Sequence, residues 1–450
     1  MTSLFLLGLV LLLLALRQNI ITILIVVVAT TILLYSEEQL YFMTEHMWRA
    51  LNNEVLLSIP LFILCGTIMT NGAISVRLIN VMRTATCALP GGLGATCILS
   101  CAFFAAISGS SMVTLLAVGT ILYPALRKEG YSQQYSLGAI TSAGTLGVII
   151  PPSIPLIVYG ISTQTSITDL FIAGLIPGLL LTTALLGYSL YKNRKLPKYP
   201  FNPREFFVAV KEGIWSLLMP VILLGGIYSG YFTATESAAV ALCYALVIEL
   251  FVYKETKLVN LKKMVIEASQ LLGTLAPIIA IAMTLNDLLV LEQAPQLLSN
   301  WMTENISSKI YFLLGLNAVL LLVGTLMEIN AAILILAPII LPLARIYGID
   351  PIHLGIIMVI NLEIGLLTPP VGFNLVVAMT ALKEKFSDVT RSVIPFVGMM
   401  LIVLMIISFV PEISLMLIEP SQVQDPASLM INLDELMLLM KENPNILIAE

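Results

Sequence analysis

The sequence predicts an all-α polytopic membrane protein organised as an inverted repeat, with two re-entrant hairpins and two broken helices. Composition is the first reason. Of 450 residues, 58% are hydrophobic and only 11% are charged, whereas soluble domains carry about 25% charged residues. Second, the apolar residues run continuously over lengths near or above the ~20 that cross a bilayer as a helix, unlike the short alternating strands of a membrane barrel. Third, two stretches 218 residues apart share one plan. Pro124, Gly130, Gly147, Pro151 and Pro152 recur as Pro342, Gly348, Gly365, Pro369 and Pro370, with Arg127 and Arg345 in the same register. Paired apolar segments broken by Gly and Pro, one in each half, point to the binding site of a secondary transporter.

The apolar stretches fall at about 3–16, 20–34, 54–71, 93–123, 133–163, 170–191, 214–231, 234–253, 264–290, 310–344, 352–380 and 391–417. Residues 93–123, 133–163, 310–344 and 352–380 are too long for one simple span, so each is expected to be tilted, broken or re-entrant. The first run lacks the basic leader of a cleaved signal and is expected to stay as a span. Residues 36–53 place Leu40, Met43, Met47 and Leu51 on one helical face, beside Trp48 and opposite acids. That pattern predicts a helix lying in the membrane interface, with an ordinary loop as the alternative. The tail 420–450 repeats the theme through Leu429, Leu433, Leu436 and Met440. A surface helix, a docking element and a mostly disordered acidic tail are all open there.

Charge places the loops. Lys192, Arg194, Lys195, Lys198, Arg204 and Lys211 form one basic segment, and four lysines between 254 and 263 form another. Two spans separate them, so both can be cytoplasmic. Arg77 and Arg83, with no acid between 72 and 91, predict a third inner loop. Keeping Arg127 and Lys128 inside makes 93–123 a hairpin entered and left from the cytoplasm, and 133–163 a broken span. The second half mirrors this, with 310–344 a hairpin from outside and 352–380 spanning. The reverse assignment of hairpin and span is the alternative. The chain thus divides into N-terminal spans and interfacial helix (1–53), first repeat (54–191), basic loops with linking spans (192–263), second repeat (264–417) and acidic tail (418–450).

Within the repeats, AISGSS (Ala106 to Ser111) and GTLGVIIPPS (Gly144 to Ser153) sit midway along apolar runs, as do GTLMEI (Gly324 to Ile329) and NLEIGLLTPPVG (Asn361 to Gly372). A proline lacks the amide proton and disfavours helical geometry before it. Two in succession, with glycines upstream, leave carbonyls without intrahelical partners. In hydrocarbon these need protein, water or an ion. Facing broken helices also aim partly positive N-termini at an anion and free carbonyls at a cation. A simple proline kink, or small residues for close helix packing, is the plainer alternative for each motif alone. Acidic residues at membrane depth are rare and usually functional, which makes Glu236, Asp287, Glu328 and Glu363 candidates. Glu328 stands out because it lies beside a predicted break. Asp287 is alternatively an interface residue, and Glu363 a hydrogen-bonding group inside the scaffold.

Other chemistries find little support. The net charge of −5 argues against nucleic acid as a partner. Cys65, Cys87, Cys97, Cys101 and Cys243 show no metal-ligand spacing and are expected to be buried small hydrophobes. The only histidines, His46 and His353, have no ligand partner at helical spacing, and no phosphate-cradling Gly-rich loop precedes a Lys-Ser or Lys-Thr pair. The chain is therefore expected not to be an enzyme. Its energy must come from an ion gradient or another subunit.

The sequence resembles the large membrane subunit (M) of the TRAP (tripartite ATP-independent periplasmic) transporters. IPLFILCG (Ile59 to Gly66), AISGSS, GTLGVIIPPS, LFIAGLIPG (Leu170 to Gly178), YFTATESAAVALCYAL (Tyr231 to Leu246), GIDPIHLG (Gly348 to Gly355) and NLEIGLLTPPVG stand in family order between about 54 and 415. As a set they are highly specific. The resemblance implies an inverted-repeat ion-transporter fold of elevator type in the bacterial cytoplasmic (inner) membrane. It implies sodium symport of an organic acid such as a C4-dicarboxylate, a sialic acid or a sugar acid. The implied partners are a periplasmic substrate-binding protein and a small four-helix membrane subunit, here expected as a separate chain.

The resemblance also implies two coupling Na+ ions at the breaks. The first would be held by Ser108, Ser110, Gly147, Ile150 and Pro152, mostly through carbonyls. The second would be held by Gly324, Gly365, Thr368 and Val371, with Glu328 contributing. Substrate would lie between the hairpin tips, near Ser111, Ser153, Pro151 and Pro369. Three features depart from the family pattern: Arg17-Gln18-Asn19 interrupts the N-terminal run where a Gly-Val-Pro break is usual, Glu328 replaces a more usual Asp, and the tail past 418 is long. A stand-alone dicarboxylate or citrate symporter of the same superfamily is the alternative function.

Overall fold

A computed structural model of the chain describes residues 18–35, 39–255, 258–306 and 308–418, with a few isolated positions before residue 17. Residues 416–450 form a unit of their own, of which 416–418 are described. The predicted tail helix with Leu429, Leu433, Leu436 and Met440 lies outside the described residues, as do Arg17 and most of the apolar run 3–16. All regular structure among the described residues is helical, and nine of these helices are long and apolar enough to cross a membrane.

Among the described residues, the helices with defined bounds start with α1 (Ile20–Tyr35) and α2 (Tyr41–Leu51), followed by α3 (Ser58–Asn71) and α4 (Ala73–Thr86). The first repeat continues with α5 (Gly92–Ser108), α6 (Ser111–Lys128), α7 (Gln133–Gly144), α8 (Leu146–Ile149), α9 (Ile154–Thr163) and α10 (Ile167–Lys192). Linking helices α11 (Pro203–Tyr228) and α12 (Ala234–Val247) lead to α13 (Leu258–Leu291) and α14 (Ala294–Asn305). The second repeat holds α15 (Lys309–Leu326), α16 (Ile329–Ile346), α17 (Pro351–Gly365), α18 (Phe373–Leu382) and α19 (Phe386–Phe409), before a last turn α20 (Glu412–Leu415).

Within the amphipathic segment 36–53, Tyr41–Leu51 forms a helix, but protein takes much of its apolar face. Phe42 joins Leu24, Val28 and Ile32 of α1 and Ile281 and Leu288 of α13 in one buried cluster, with Met43 and Met47 packed on it. Leu40, Trp48 and Leu51 remain exposed. The stretch expected as a third inner loop is instead helix α4. Ile74, Leu78, Val81 and Met82 recur at helical spacing and are buried, so the helix has a face to pack despite its two arginines. Its start is held from outside. Glu249, in a π-helical turn after α12, accepts from the amides of Ala73 (3.0 Å) and Ile74 (2.8 Å), satisfying two of the orphan donors of a helix N-terminus. Arg77 lies 3.9 Å from the centroid of the Tyr253 ring and pairs with Glu255 at 2.6 Å.

The 218-residue repeat in sequence is also a repeat in backbone. Gly130 (φ +87°) and Gly348 (φ +63°) both close the turn after the second hairpin helix. The Tyr131 amide donates to the Leu126 carbonyl at 3.1 Å, and the Ile349 amide to that of Ala344 at 3.0 Å. This is one helix-terminating motif used twice, and it needs a residue free to adopt positive φ. Ser132 then caps α7 and Asp350 caps α17. Pro177 and Pro395, again 218 apart, both sit inside the long helices α10 and α19. Packing follows the same symmetry: α9 lies on α16 and α18 on α6, while α7 packs on α19 and α17 on α10. These exchanges bring the two halves together at their interruptions.

Candidate functional site

At the first interruption α5 stops at Ser108. Gly109 turns with φ +62°, and Ser110 is extended before α6 begins. Opposite it, Ile150 to Ser153 separates α8 from α9, with a cis bond between Pro151 and Pro152. The two breaks touch. The Ile154 amide donates to the Gly109 carbonyl at 3.2 Å. A methyl group on Gly147 would lie 2.5 Å from both the Ser110 carbonyl oxygen and Thr114 Oγ1, so only glycine lets α8 approach the hairpin tip this closely. Ser108 Oγ is 2.7 Å from Thr114 Oγ1. Ser108 and Ser110 therefore gather with Gly147, and Thr114 joins them from one turn further along α6. The donors are neutral hydroxyl and carbonyl oxygens, the kind that suits a hard cation. Pro152 lies against Gly109, while Ile150 and Pro151 pack on Gly178 and Gly174 of α10. The whole break is buried.

The second interruption is built differently. Gly324 and Gly365 are in direct backbone contact, since a Cβ on Gly365 would lie 2.6 Å from Gly324 Cα. The Gly372 amide donates to the Thr325 carbonyl at 3.3 Å, paralleling the bond from Ile154 to Gly109. Thr368 is half-buried and donates its hydroxyl to the Ile364 carbonyl at 3.0 Å. Pro369, Pro370 and Val371 are exposed. Glu328 starts α16 and accepts from the Ala331 amide (3.1 Å) and from Asn330 Nδ2 (2.7 Å).

Between the two hairpin tips lies a cavity of about 160 Å3. Ser110 and Ser111 line it from the first half, and Glu328, Asn330, Leu366 and Asn374 from the second. Ser153, Pro151 and Pro369 do not line it. Ser153 is buried, donates to the Val148 carbonyl at 2.5 Å and accepts from the Leu156 amide at 3.3 Å, so its hydroxyl is used within its own break. Behind the cavity Ser111 Oγ donates to Asn374 Oδ1 at 3.3 Å, and Asn374 Nδ2 donates to Glu363 Oε1 at 2.6 Å. This buried relay ties the first hairpin to the second broken helix. Asn374, Asn330 and Thr114 escaped sequence reasoning. A lone polar residue just past the double proline, or one turn past the serines, was the available signal.

The other acidic candidates have local duties. Glu236 and Thr233 form a reciprocal capping box at the start of α12. Asp287 meets His46 Nδ1 at 2.6 Å, joining α13 to α2. Among the cysteines, Cys65, Cys97 and Cys101 are buried as expected, but Cys87 is half-buried and Cys243 exposed. Cys243 sits on an outward face of α12, where lipid or a partner rather than packing can cover an apolar thiol.

Two interrupted helix pairs facing each other across a small, mostly apolar cavity with a few polar groups, among nine candidate spans in the described residues, have the architecture of a secondary transporter. A family model for the tripartite ATP-independent periplasmic transporter, DctM component, matches residues 7–413. The C4-dicarboxylate TRAP transporter large permease protein DctM of Pseudomonas aeruginosa is 43% identical over 386 residues, covering 85% of this chain and 90% of that one. The isethionate TRAP transporter permease protein DctMQ of Oleidesulfovibrio alaskensis is 40% identical over 376 residues, covering 83% of this chain and 59% of that longer protein. The sialic acid TRAP transporter large permease protein SiaM of Vibrio cholerae is 34% identical, covering 84% and 89%. The crystal structure of the YdaH transporter of Alcanivorax borkumensis shares the fold, with a TM-score of 0.59 over 82% of this chain and 87% of that one at 14% identity. The chain belongs to the DctM family of TRAP transporter large permeases.

Proposed function

We propose that this permease imports an organic acid across the bacterial cytoplasmic membrane, driven by two sodium ions. A periplasmic binding protein delivers the acid, and a separate small membrane subunit completes the scaffold. The observation that carries this reading is the contact of each hairpin tip with a broken helix at a glycine, Gly147 in one half and Gly365 in the other. Two such places, related by the repeat, offer two settings where hydroxyl and carbonyl oxygens crowd together at a helix break and could hold a small cation. The relatives named above carry C4-dicarboxylate, isethionate and sialic acid in their names. All three are anionic, which supports an acid as cargo. Elevator motion of the hairpins and broken helices against α3, α4, α11, α12 and α13 is part of the proposal.

The energetics are adequate. A monovalent acid moving with two sodium ions carries one net positive charge, worth about 2.3 kcal/mol at 100 mV. A tenfold sodium gradient adds about 1.4 kcal/mol per ion. The total of about 5 kcal/mol sustains between three and four decades of accumulation. The test is uptake by proteoliposomes holding the permease with its small subunit and the binding protein. Uptake should stop when external sodium is replaced by potassium, and uptake indifferent to the cation would remove the coupling. Uptake that needs no binding protein would instead favour the stand-alone symporter.

A further inference from the structure

The loop between α10 and α11 is dense in both cations and rings. Lys192, Arg194, Lys195, Lys198, Arg204 and Lys211 are all exposed, and Glu205 is the only acid from 192 to 211. That carboxylate accepts from Asn202 Nδ2 at 2.7 Å, at the capped start of α11. None of the six cations pairs with a carboxylate among the described residues. Large rings stand among them. Tyr191 is 65% and Phe207 68% exposed, and Tyr199 and Phe201 are exposed as well. Arg194 lies 4.8 Å from the centroid of the Tyr191 ring. Phe206 joins Phe201 to Phe207, with centroid separations of 5.7 and 5.9 Å.

Basic residues alone would satisfy the positive-inside rule and need no ligand. The rings change the reading. A cluster of exposed aromatic side chains is unfavourable in water, whereas Tyr and Phe beside Lys and Arg suit the headgroup layer, which is apolar on one side and wet on the other. The loop joins two candidate spans, Ile167–Lys192 and Pro203–Tyr228, which places it at that depth. Cations without carboxylate partners are complementary there to the anionic lipids of the cytoplasmic leaflet.

The same loop grips both ends of the link 87–91, which joins α4 to the first hairpin helix α5. The Tyr199 amide donates to the Cys87 carbonyl at 3.1 Å. At the other end a Cβ on Gly91 (φ +63°) would lie 2.4 Å from Asn193 Cβ, so link and loop touch. A cavity of about 480 Å3 lies beneath, walled by Asn80 and Arg83 of α4 and by Leu196, Tyr199 and Pro200 of the loop. The loop thus spans a gap, and its position depends on what holds its outer face.

We infer that the loop 192–202 with the first turns of α11 is a binding surface for anionic phospholipid headgroups of the cytoplasmic leaflet, and that lipid bound there steadies the root of the first hairpin. The test begins with the permease purified with its small subunit and titrated with phosphatidylglycerol or phosphatidylcholine of matched chains, bound lipid being counted by native mass spectrometry. Arg194→Gln, Lys195→Gln and Lys198→Gln together remove three exposed charges. Lys254→Gln, Lys262→Gln and Lys263→Gln make the same charge change in the other basic loop. A cation near an anionic surface is worth about fivefold in binding. The loop variant should therefore lose at least about tenfold of the phosphatidylglycerol preference, and the charge-matched control should keep it.

A steadied root gives the hairpin a fixed pivot. Parent uptake in proteoliposomes should accordingly rise with phosphatidylglycerol content, and uptake by the loop variant should not. Equal loss of preference in the control would overturn the surface, because the attraction would then be one of bulk charge. Full competition by water-soluble glycerol phosphate would do the same, as would lipid retention only without the small subunit, which would make this face a subunit contact. Lipid retention with uptake indifferent to lipid would overturn the link to the hairpin. Cation-indifferent uptake would defeat the sodium reading and leave lipid retention standing, so the two failures are distinguishable.

Discussion

Replacing Gly147 with alanine tests the first ion setting with a single methyl group. The added carbon would sit 2.5 Å from the Ser110 carbonyl oxygen and from Thr114 Oγ1, and 2.9 Å from the Ser110 carbonyl carbon, against an ordinary contact of 3.4 Å or more. Two of these three atoms are backbone, so the hairpin tip must withdraw by several tenths of an ångström. Overpacking of this kind costs about 1–3 kcal/mol. Alanine recovers about 1 kcal/mol through its helical preference, leaving a net loss of about 0–2 kcal/mol, small enough for the protein to fold. The ion setting suffers more, because the displaced oxygens are the proposed ligands. Losing the equivalent of 1.4 kcal/mol from sodium binding raises the half-saturating sodium concentration about tenfold. A sodium titration of uptake in proteoliposomes measures this directly. Gly187→Ala is the control, since no heavy atom lies within 4 Å of its added carbon and its sodium curve should match the parent. A Gly147→Ala protein with parental sodium dependence would show that no ion is held between α8 and the hairpin tip.

Three further outcomes follow from the same geometry. Thr368→Val keeps the side-chain shape but removes the hydroxyl beside the second break, so sodium dependence should weaken several-fold while stability falls by about 1 kcal/mol for the lost bond to Ile364; uptake titrations and thermal unfolding read the two effects separately. Gly365→Val drives two branched methyls into Gly324, whose backbone cannot give way, and should abolish sodium-dependent uptake while membrane insertion, measured by yield in the membrane fraction, persists. Asn374→Leu removes the donor that meets buried Glu363, leaving that carboxyl group unsatisfied at a cost of about 1–3 kcal/mol. The double variant with Glu363→Leu should recover part of that loss in a thermal-stability cycle, and strict additivity would show that the pair is not coupled.

Much of the site was legible before any coordinates because helix breaking is local chemistry. Pro151-Pro152 and Pro369-Pro370 end α8 and α17 for reasons contained in a few neighbouring residues. The register between Gly130 and Gly348 likewise announced two copies of one turn. What escaped were roles set by distant partners. Arg77 and Arg83 suggested a loop because they are charged. Yet α4 is a helix, since Glu249, 175 residues away from Ile74, caps its start and the linking helix α11 covers its apolar face. Glu236, an intramembrane acid by sequence, turned out to serve a capping box. Asn374 carried no motif and became one of the residues that join the two halves, through Ser111.

The sequence alone determined that this chain is a helical membrane protein with two interrupted repeats, because hydropathy and proline chemistry act residue by residue. It also held the family motifs that mark a TRAP permease. The tertiary structure alone decided that the first break is buried and the second exposed, that Ser153 is consumed inside its own break, and that Ser110, Ser111, Glu328 and Asn374 share one cavity. Those outcomes depend on which distant helices meet: Gly178 and Gly174 of α10 lie against Ile150 and Pro151 at the first break, whereas Pro369 and Pro370 stay uncovered. Burial is a property of the assembled surface, and no local pattern encodes it.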